Sequence, residues 1–152
     1  MNPIETDEQR SARLKSQVHV VTEALANALH VPSLAIGIDL DGCIDEAPDF
    51  FRNLSQVWPG EVYVITYRND LEKARRDVES FGIRCTEVVM VNSFAQKADE
   101  ITRRGICVYF DDQDEILMHV PENVSVFKIR NGGNYDFDDR KWLYSEQTGR
   151  AV

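Results

Sequence analysis

Residues 34–42 read LAIGIDLDG, an apolar run that ends in two acids and a glycine. The part from Leu34 to Leu40 is almost continuously apolar, as is typical of a strand covered on both faces of a parallel sheet. Four similar runs follow, and segments with the spacing of helices separate them. This alternation predicts an α/β fold with a Rossmann-like, doubly wound parallel sheet of about five strands. The predicted strands are residues 34–40, 61–67, 87–92, 106–111 and 124–130.

The intervals between these strands are each long enough for one helix. Gly82 and Gly105 stand where the C-terminal caps of two such helices are expected. The predicted helices are residues 48–58, 69–81 and 93–104, with a shorter one at 114–119.

The segment before the first strand has apolar residues three and four positions apart, which predicts one amphipathic helix over about residues 6–29. The apolar residues are Leu14, Val18, Val21, Leu25 and Leu29. We expect this stripe to pack on the domain, with a dimer interface as the alternative. The expected organisation is a single domain over 1–152, with a core at about 33–130 and a C-terminal tail at 131–152.

Composition and charge narrow the class of protein. Of the 152 residues, 43% are hydrophobic and 28% are charged, which is typical of a globular domain. The net charge of −9 argues against binding to nucleic acid, because gripping phosphates needs a basic face. The three cysteines form no C-x-x-C pair, and no signal peptide or membrane-spanning run is recognisable. We therefore expect a protein of the reducing cytoplasm.

Side chains that can carry chemistry follow several predicted strands. Asp39 and Asp41 follow the first strand, Thr66 ends the second, and Asp111 and Asp112 follow the fourth. The carboxyl ends of parallel strands meet at one edge of the sheet, where ligands bind. Acids gathered there repel one another unless a divalent cation with oxygen ligands neutralises them. Mg²⁺ is the cation that we expect.

Several of these residues, and Lys97 in the first turns of the predicted helix before the fourth strand, also have a purely structural interpretation. The Asp-Gly pair after the first strand is typical of a turn. Thr66 alone would satisfy backbone groups at a strand end, and Lys97 alone would be a solvated helix lysine. Asp112 would cap the next helix, because Glu115 follows three residues later in a capping-box pattern.

Taken in order, the motifs resemble the four motifs of the haloacid dehalogenase superfamily. These motifs are an apolar strand followed by D-x-D-G, a strand that ends in Thr or Ser, a lone Lys, and a strand followed by paired acids. The resemblance spans about residues 34–115. One departure is Cys43, which stands where Thr often follows D-x-D-G.

The resemblance implies a Mg²⁺-dependent phosphomonoester hydrolase that acts through an aspartyl-phosphate. Asp39 is the implied nucleophile, and Asp41 protonates the leaving oxygen and then activates water. Asp39, the Asp41 backbone carbonyl and Asp112 are the implied Mg²⁺ ligands. Asp111 is the second choice as a ligand and helps to hold Lys97.

Thr66 and Lys97 are the implied partners of the phosphoryl oxygens. Arg68, two residues after Thr66, would clamp a substrate phosphate or carboxylate, or else form a surface ion pair. The loop NGGN, residues 131–134, would shape the pocket or simply turn.

The spacing between the motifs leaves no room for a cap domain. About twenty residues separate Gly42 from the second strand, and about thirty separate Thr66 from Lys97. We therefore expect a capless member with an open site, which acts on a phosphorylated small molecule or a phosphoprotein. A homo-oligomer or the C-terminal tail would be other ways to cover the site. A phosphotransferase and a non-catalytic binding or regulatory module are the alternatives to a hydrolase.

Overall fold

A computed structural model describes residues 6–10, 13 and 34–143 of the chain. The chain divides into two compact units, Met1–Pro32 and Ser33–Val152. The second unit contains all strands of the described residues and every residue with a predicted chemical role. Among the described helices, none is both long and apolar enough to cross a membrane.

The described part of the first unit is the start of a helix. Residues 7–10 and 13 are helical, and Thr6 begins the helix with a reciprocal cap. The Gln9 amide donates to Thr6 Oγ1 over 3.3 Å, and the Thr6 amide donates to Gln9 Oε1 over 3.0 Å. The apolar stripe from Leu14 to Leu29 lies outside the described residues.

The second unit is built on a five-stranded sheet. Its strands are β1 Ala35–Ile38, β2 Val62–Thr66, β3 Glu87–Met90, β4 Ile106–Asp111 and β5 Ser125–Lys128. All neighbouring strands are parallel, and their order is β3-β2-β1-β4-β5. Along the chain, β2 and β3 extend the sheet from β1 to one edge, and β4 and β5 then extend it from β1 to the other edge. The predicted fold class, a Rossmann-like doubly wound sheet, is confirmed.

One α-helix connects each strand of the sheet to the next strand along the chain, and a short π-helical turn, Leu40–Ile44, precedes the first of these helices. The helices are α1 Pro48–Val57, α2 Leu71–Ser80, α3 Phe94–Arg103 and α4 Asp114–Leu117. The side chains of Asp70 and Ser93 cap α2 and α3, because each accepts a hydrogen bond from the backbone amide three residues later. Gly82 and Gly105 follow these helices with φ of +71° and +61°, the left-handed conformation in which helices commonly end. Both predicted glycine caps are confirmed.

Apolar side chains are buried on both faces of the sheet. One face packs against Phe51 of α1 and against Ala74 and Val78 of α2. The other face packs against Ile101 of α3 and Ile116 of α4. The central strands therefore have no solvated face, which explains why their sequences are apolar without alternation.

Gly37 lies in β1 at a position where a side chain has no room. A Cβ there would lie 2.7 Å from Cδ2 of Tyr109 and 2.9 Å from Cδ1 of Ile106. The Tyr109 ring occupies this space, and its hydroxyl donates to Asp111 Oδ2 over 3.0 Å. The glycine thus lets an aromatic residue of β4 reach an acid at the end of the same strand.

The tail has more regular structure than its sequence predicts. It forms an antiparallel hairpin of β6 Tyr135–Asp136 and β7 Lys141–Trp142. The Tyr135 and Trp142 ring centroids lie 5.2 Å apart, and the Lys128 ammonium of β5 lies 4.4 Å from the Trp142 centroid. Strands of two residues are too short to show a hydrophobic period, so periodicity misses them. The contact between Lys128 and Trp142 links this hairpin to β5.

Candidate active site

The sheet places the two groups of acids side by side at its carboxyl edge. The amide of Asp39, just after β1, donates to the Phe110 carbonyl of β4 over 2.9 Å. Asp111 ends β4, and Asp112 follows it. The chain leaves β1 toward β2 and leaves β4 toward β5, in opposite directions across the sheet. The acids therefore lie at the topological switch point, where open α/β sheets bind ligands.

Lys97 connects these acids. Its side chain is 1% exposed, and its ammonium donates to Asp39 Oδ1 over 2.8 Å and to Asp111 Oδ2 over 2.7 Å. Burial alone would lower the pKa of Lys97, but the two carboxylates outweigh burial and raise the pKa above its ordinary value. The lysine therefore stays charged inside the protein. The contact between Lys97 and Asp111 that the resemblance implies is present.

Asp111 has both carboxylate oxygens engaged by the protein. Oδ2 accepts from Lys97 and from the Tyr109 hydroxyl, and Oδ1 accepts from the Gln113 amide over 2.9 Å. These contacts favour Asp111 as the residue that orients Lys97. They leave Asp112 as the better candidate for a metal ligand.

Asp112 does not cap the helix that follows it. The N-cap of α4 is Gln113, and no side-chain hydrogen bond caps that helix. The capping-box interpretation of Asp112 and Glu115 is therefore wrong. The helix begins two residues after Asp112, so Asp112 lies on the strand side of the turn, next to the other acids.

Two asparagines that the sequence analysis did not single out hold Asp112. Asn131 Nδ2 donates to Asp112 Oδ2 over 2.8 Å and to the Gly42 carbonyl over 3.0 Å. Asn134 Nδ2 donates to the Asp112 carbonyl over 2.8 Å. Both asparagines are buried. The NGGN loop therefore joins the D-x-D-G loop to the paired acids, and its position directly after β5 was the only sequence signal for this role.

Gly42 makes this junction possible. Its φ is +83°, and a Cβ there would lie 2.5 Å from Asp112 Oδ2 and 2.8 Å from Asn131 Nδ2. Its amide donates to Asp45 Oδ1 over 2.6 Å, which closes the turn after β1. The glycine of D-x-D-G is thus required both by its backbone conformation and by the close approach of two polar side chains.

The buried cluster has an excess of negative charge. Oxygens of Asp39, Asp111 and Asp112 lie within 4.8 Å of one another. Burial raises the pKa of Asp39 from 3.8 to about 7; Lys97 opposes this rise, and the charges of Asp111 and Asp112 add to it. Three carboxylates against one ammonium leave two negative charges when all groups are ionised. A hard divalent cation fits both this charge and these oxygen donors.

Asp41 lies apart from the buried cluster. Its side chain is 53% exposed, and Arg68 holds it through two parallel bonds, Nε to Oδ2 over 2.8 Å and Nη2 to Oδ1 over 2.6 Å. Arg68 Nη1 binds Asp77 of α2. Arg68 thus forms the ion pair that was one of its two predicted interpretations. Its role as a clamp on substrate stays a prediction.

Thr66 ends β2 at the same edge of the sheet as Asp39. The pairing of Ile38 with Val64 sets this register. Thr66 is fully buried, and its Oγ1 accepts a hydrogen bond from the Arg68 amide over 3.3 Å. The hydroxyl hydrogen is then free to be donated to a ligand oxygen, so the structural and functional interpretations of Thr66 are compatible.

A cavity of about 320 Å³ opens beside the D-x-D-G loop. The acids in its lining are Asp41 of that loop and Asp45 and Glu46, which follow the loop, and residues of the NGGN loop also line the cavity. The lining residues are Asp41, Gly42, Asp45, Glu46, Gln113, Asn131, Gly132 and Gly133. A larger cavity of about 540 Å³, between α2 and β3, contains none of the predicted site residues.

The structure thus brings Asp39, Lys97, Asp111 and Asp112 into one buried network and places Thr66 at the same edge. None of the protein-family models, curated proteins and solved structures compared with the chain matches it. The resemblance to the haloacid dehalogenase superfamily therefore rests on the sequence motifs alone.

Proposed function

We propose that the chain is a Mg²⁺-dependent phosphomonoester hydrolase of the haloacid dehalogenase type, which acts through an aspartyl-phosphate on Asp39. The observation that supports this most is the contact of Lys97 with both Asp39 and Asp111 at the topological switch point. Three buried carboxylates beside one lysine cost stability, which is expected where function requires charged groups. Lys97, together with a bound divalent cation, would supply the positive charge that a phosphoryl group needs beside its attacking carboxylate.

In the proposed first step, an oxygen of Asp39 attacks the phosphorus, and the bond from phosphorus to the leaving oxygen breaks. Asp39 is only 6% exposed, so its oxygens are largely shielded from water. Lys97 and the Thr66 hydroxyl hold the phosphoryl oxygens and stabilise their negative charge. Asp41, which lines the cavity, donates a proton to the leaving oxygen.

In the proposed second step, a water oxygen attacks the phosphorus of the aspartyl-phosphate. The bond between the phosphorus and the Asp39 oxygen breaks, and Asp39 regains its carboxylate. Asp41 accepts a proton from the attacking water. Phosphate then leaves through the cavity beside the D-x-D-G loop.

The residues present fit a bound Mg²⁺. Asp39, Asp112 and the Asp41 backbone carbonyl would hold it, and Asp111 is already engaged by Lys97, Tyr109 and Gln113. When bound, the cation supplies positive charge that favours ionised carboxylates and draws electron density from the phosphoryl group. This charge counters the burial that raises the pKa of Asp39.

The cavity supports a substrate with a small or exposed phosphate-bearing end. In the described chain, single helices fill the connections from β1 to β2 and from β2 to β3, where a cap would be inserted. A phosphorylated small molecule or a phosphoprotein side chain therefore has access. The cavity is lined by three acids and by neither Lys nor Arg, so uncharged or cationic leaving groups are favoured over anionic ones.

The proposal is tested by phosphate release from an aryl phosphate and from a panel of phosphorylated metabolites, with Mg²⁺ and then with a chelator. We expect release that stops when the metal is removed. Activity that survives metal removal contradicts the mechanism. Formation of a phospho-enzyme that passes phosphate only to an added acceptor indicates a phosphotransferase, and Mg²⁺ binding without phospho-enzyme indicates a binding module.

A further inference from the structure

We propose that Arg68 is a positioning residue, which holds the Asp41 carboxylate in place for hydrolysis of the aspartyl-phosphate. This inference rests on the proposed function and gives Arg68 a different role from that of a clamp on substrate. Arg68 acts on Asp41, and Asp77 in turn holds Arg68.

The hydrogen bonds between Arg68 and Asp41 fix the orientation of the Asp41 carboxylate as well as its distance from Arg68. Arg68 Nε and Nη2 donate to the two oxygens of Asp41 over 2.8 Å and 2.6 Å. Two parallel bonds between planar groups restrict the rotation of the carboxylate in a way that one bond cannot. Arg68 follows β2 and Asp77 lies on α2, so the exposed carboxylate after β1 is tied to two other elements of the fold.

The position of Arg68 argues against direct contact with substrate. Asp41 lines the cavity beside the D-x-D-G loop, whereas Arg68 is not among the residues that line it. The donors Nε, Nη1 and Nη2 of Arg68 each have a carboxylate partner already. Arg68 therefore reaches the reacting groups through Asp41.

The second chemical step needs this arrangement most. When water attacks the aspartyl-phosphate, the oxygen–phosphorus bond to Asp39 breaks, and one water proton passes to Asp41. An exposed carboxylate that can rotate spends less time within reach of that proton. With an aryl phosphate the leaving group departs with little need for a proton, so loss of Asp41 positioning slows mainly the second step.

The experiment compares wild type with Arg68→Gln, Arg68→Lys and Asp77→Asn on an aryl phosphate with Mg²⁺. We expect Arg68→Gln to lower kcat by about 10- to 100-fold with KM changed by less than about twofold. Arg68→Lys keeps the positive charge but loses the two parallel hydrogen bonds, so its kcat should lie between those of wild type and Arg68→Gln. Asp77→Asn should lower kcat by a smaller factor, about threefold, because Arg68 keeps its bonds to Asp41.

Two further readouts separate positioning from a clamp on substrate. The fraction of phosphorylated protein, trapped by acid quenching and measured by intact mass, should rise in Arg68→Gln, and inhibition by inorganic phosphate should stay at the wild-type level. Arg75→Ala is the matched control, because Arg75 is an exposed arginine of α2 that pairs with Glu72 on the same helix. It should behave as wild type.

The outcomes distinguish the two levels of the proposal. The absence of phosphatase activity in wild type would contradict the proposed function itself. An active wild type whose Arg68→Gln variant has a raised KM and weaker phosphate inhibition shows that Arg68 binds substrate, and this overturns the positioning role. If Arg68→Gln melts well below wild type, the Asp77→Asn variant is used for the test instead. A wild-type kcat and a wild-type fraction of phospho-enzyme in Asp77→Asn then contradict the inference.

Discussion

Asn131 Nδ2 donates a hydrogen bond to the Gly42 carbonyl over 3.0 Å, although the two residues are 89 positions apart in the chain. The same nitrogen donates to Asp112 Oδ2 over 2.8 Å. One buried amide therefore sets the distance between the D-x-D-G loop and the paired acids. Asn131 lies in neither the D-x-D-G motif nor the paired-acid motif.

Removing this amide should destabilise the protein. Asn131→Ala removes the donor that Nδ2 supplies to the Gly42 carbonyl and to Asp112 Oδ2 in a buried place, so we expect the free energy of unfolding to fall by about 1–3 kcal/mol. Urea denaturation in the presence of chelator measures this. Asn123→Ala, at an exposed position, is the control and should leave the midpoint unchanged. Equal midpoints for the two variants would mean that the Asn131 contacts contribute nothing.

Metal binding should be visible in thermal stability even where no substrate is known. A cation that binds only the folded state stabilises it by about 2.7 kcal/mol at a hundred times its dissociation constant. For a chain of this size we expect the melting temperature to rise by several degrees with millimolar Mg²⁺. Asp112→Asn should shrink this rise and should not lower stability in chelator, because one like charge is removed. The control Asp99→Asn, on the exposed side of α3, should keep the full Mg²⁺ effect.

Ionisation of Asp39 should destabilise the metal-free protein as the pH rises from about 4 to about 7. The pKa of Asp39 is raised from 3.8 to about 7, chiefly by burial, so the folded chain keeps a proton that the unfolded chain has released. Each pH unit in this window costs the folded state on the order of 1 kcal/mol. Denaturation of wild type and Asp39→Asn in chelator measures the difference. The wild type should lose stability relative to the variant across the window, and a parallel pH profile contradicts the assignment.

Substitutions of the two acids of the D-x-D motif should have different effects on the reaction. Asp39→Asn lacks the attacking carboxylate, so no covalent phospho-enzyme should form with an aryl phosphate. Asp41→Asn should still form it, and turnover should fall by roughly two to four orders of magnitude, the usual contribution of a general acid or base. Intact mass after acid quenching and the steady-state rate provide the measurements. Equal, mild losses in both variants favour the binding-module interpretation.

The five-stranded sheet and its helices could be predicted because their signals are local. Apolar runs bounded by turns mark buried strands, and the positive φ of Gly82 and Gly105 follows from the need to end a helix. Four of the five strands are shorter than the predicted runs, whereas β4 matches residues 106–111. β1, for example, ends at Ile38 because the backbone turns after Asp39 to form the D-x-D-G loop.

The candidate site could be predicted only in part. The resemblance named Asp39, Lys97, Asp111 and Asp112, and the parallel register brings them together. The contacts of Asn131 could not be predicted, because they depend on the position of the end of β5 relative to the D-x-D-G loop, which is far away in sequence. The partner of Asp41 could not be read from spacing either, since Arg68 was open to two interpretations until its neighbours were known.

The position of Asn131 after the last strand of the sheet also has a consequence for synthesis on the ribosome. When residue 112 has just been added, all three buried acids and Lys97 have been made, but the amide that holds Asp112 and Gly42 has not. β5, which must pair with β4 before the NGGN loop can reach them, comes later still. The nascent chain therefore carries the acids for some time without the group that closes them into a site, and that site forms only when β5 and the loop have left the ribosome.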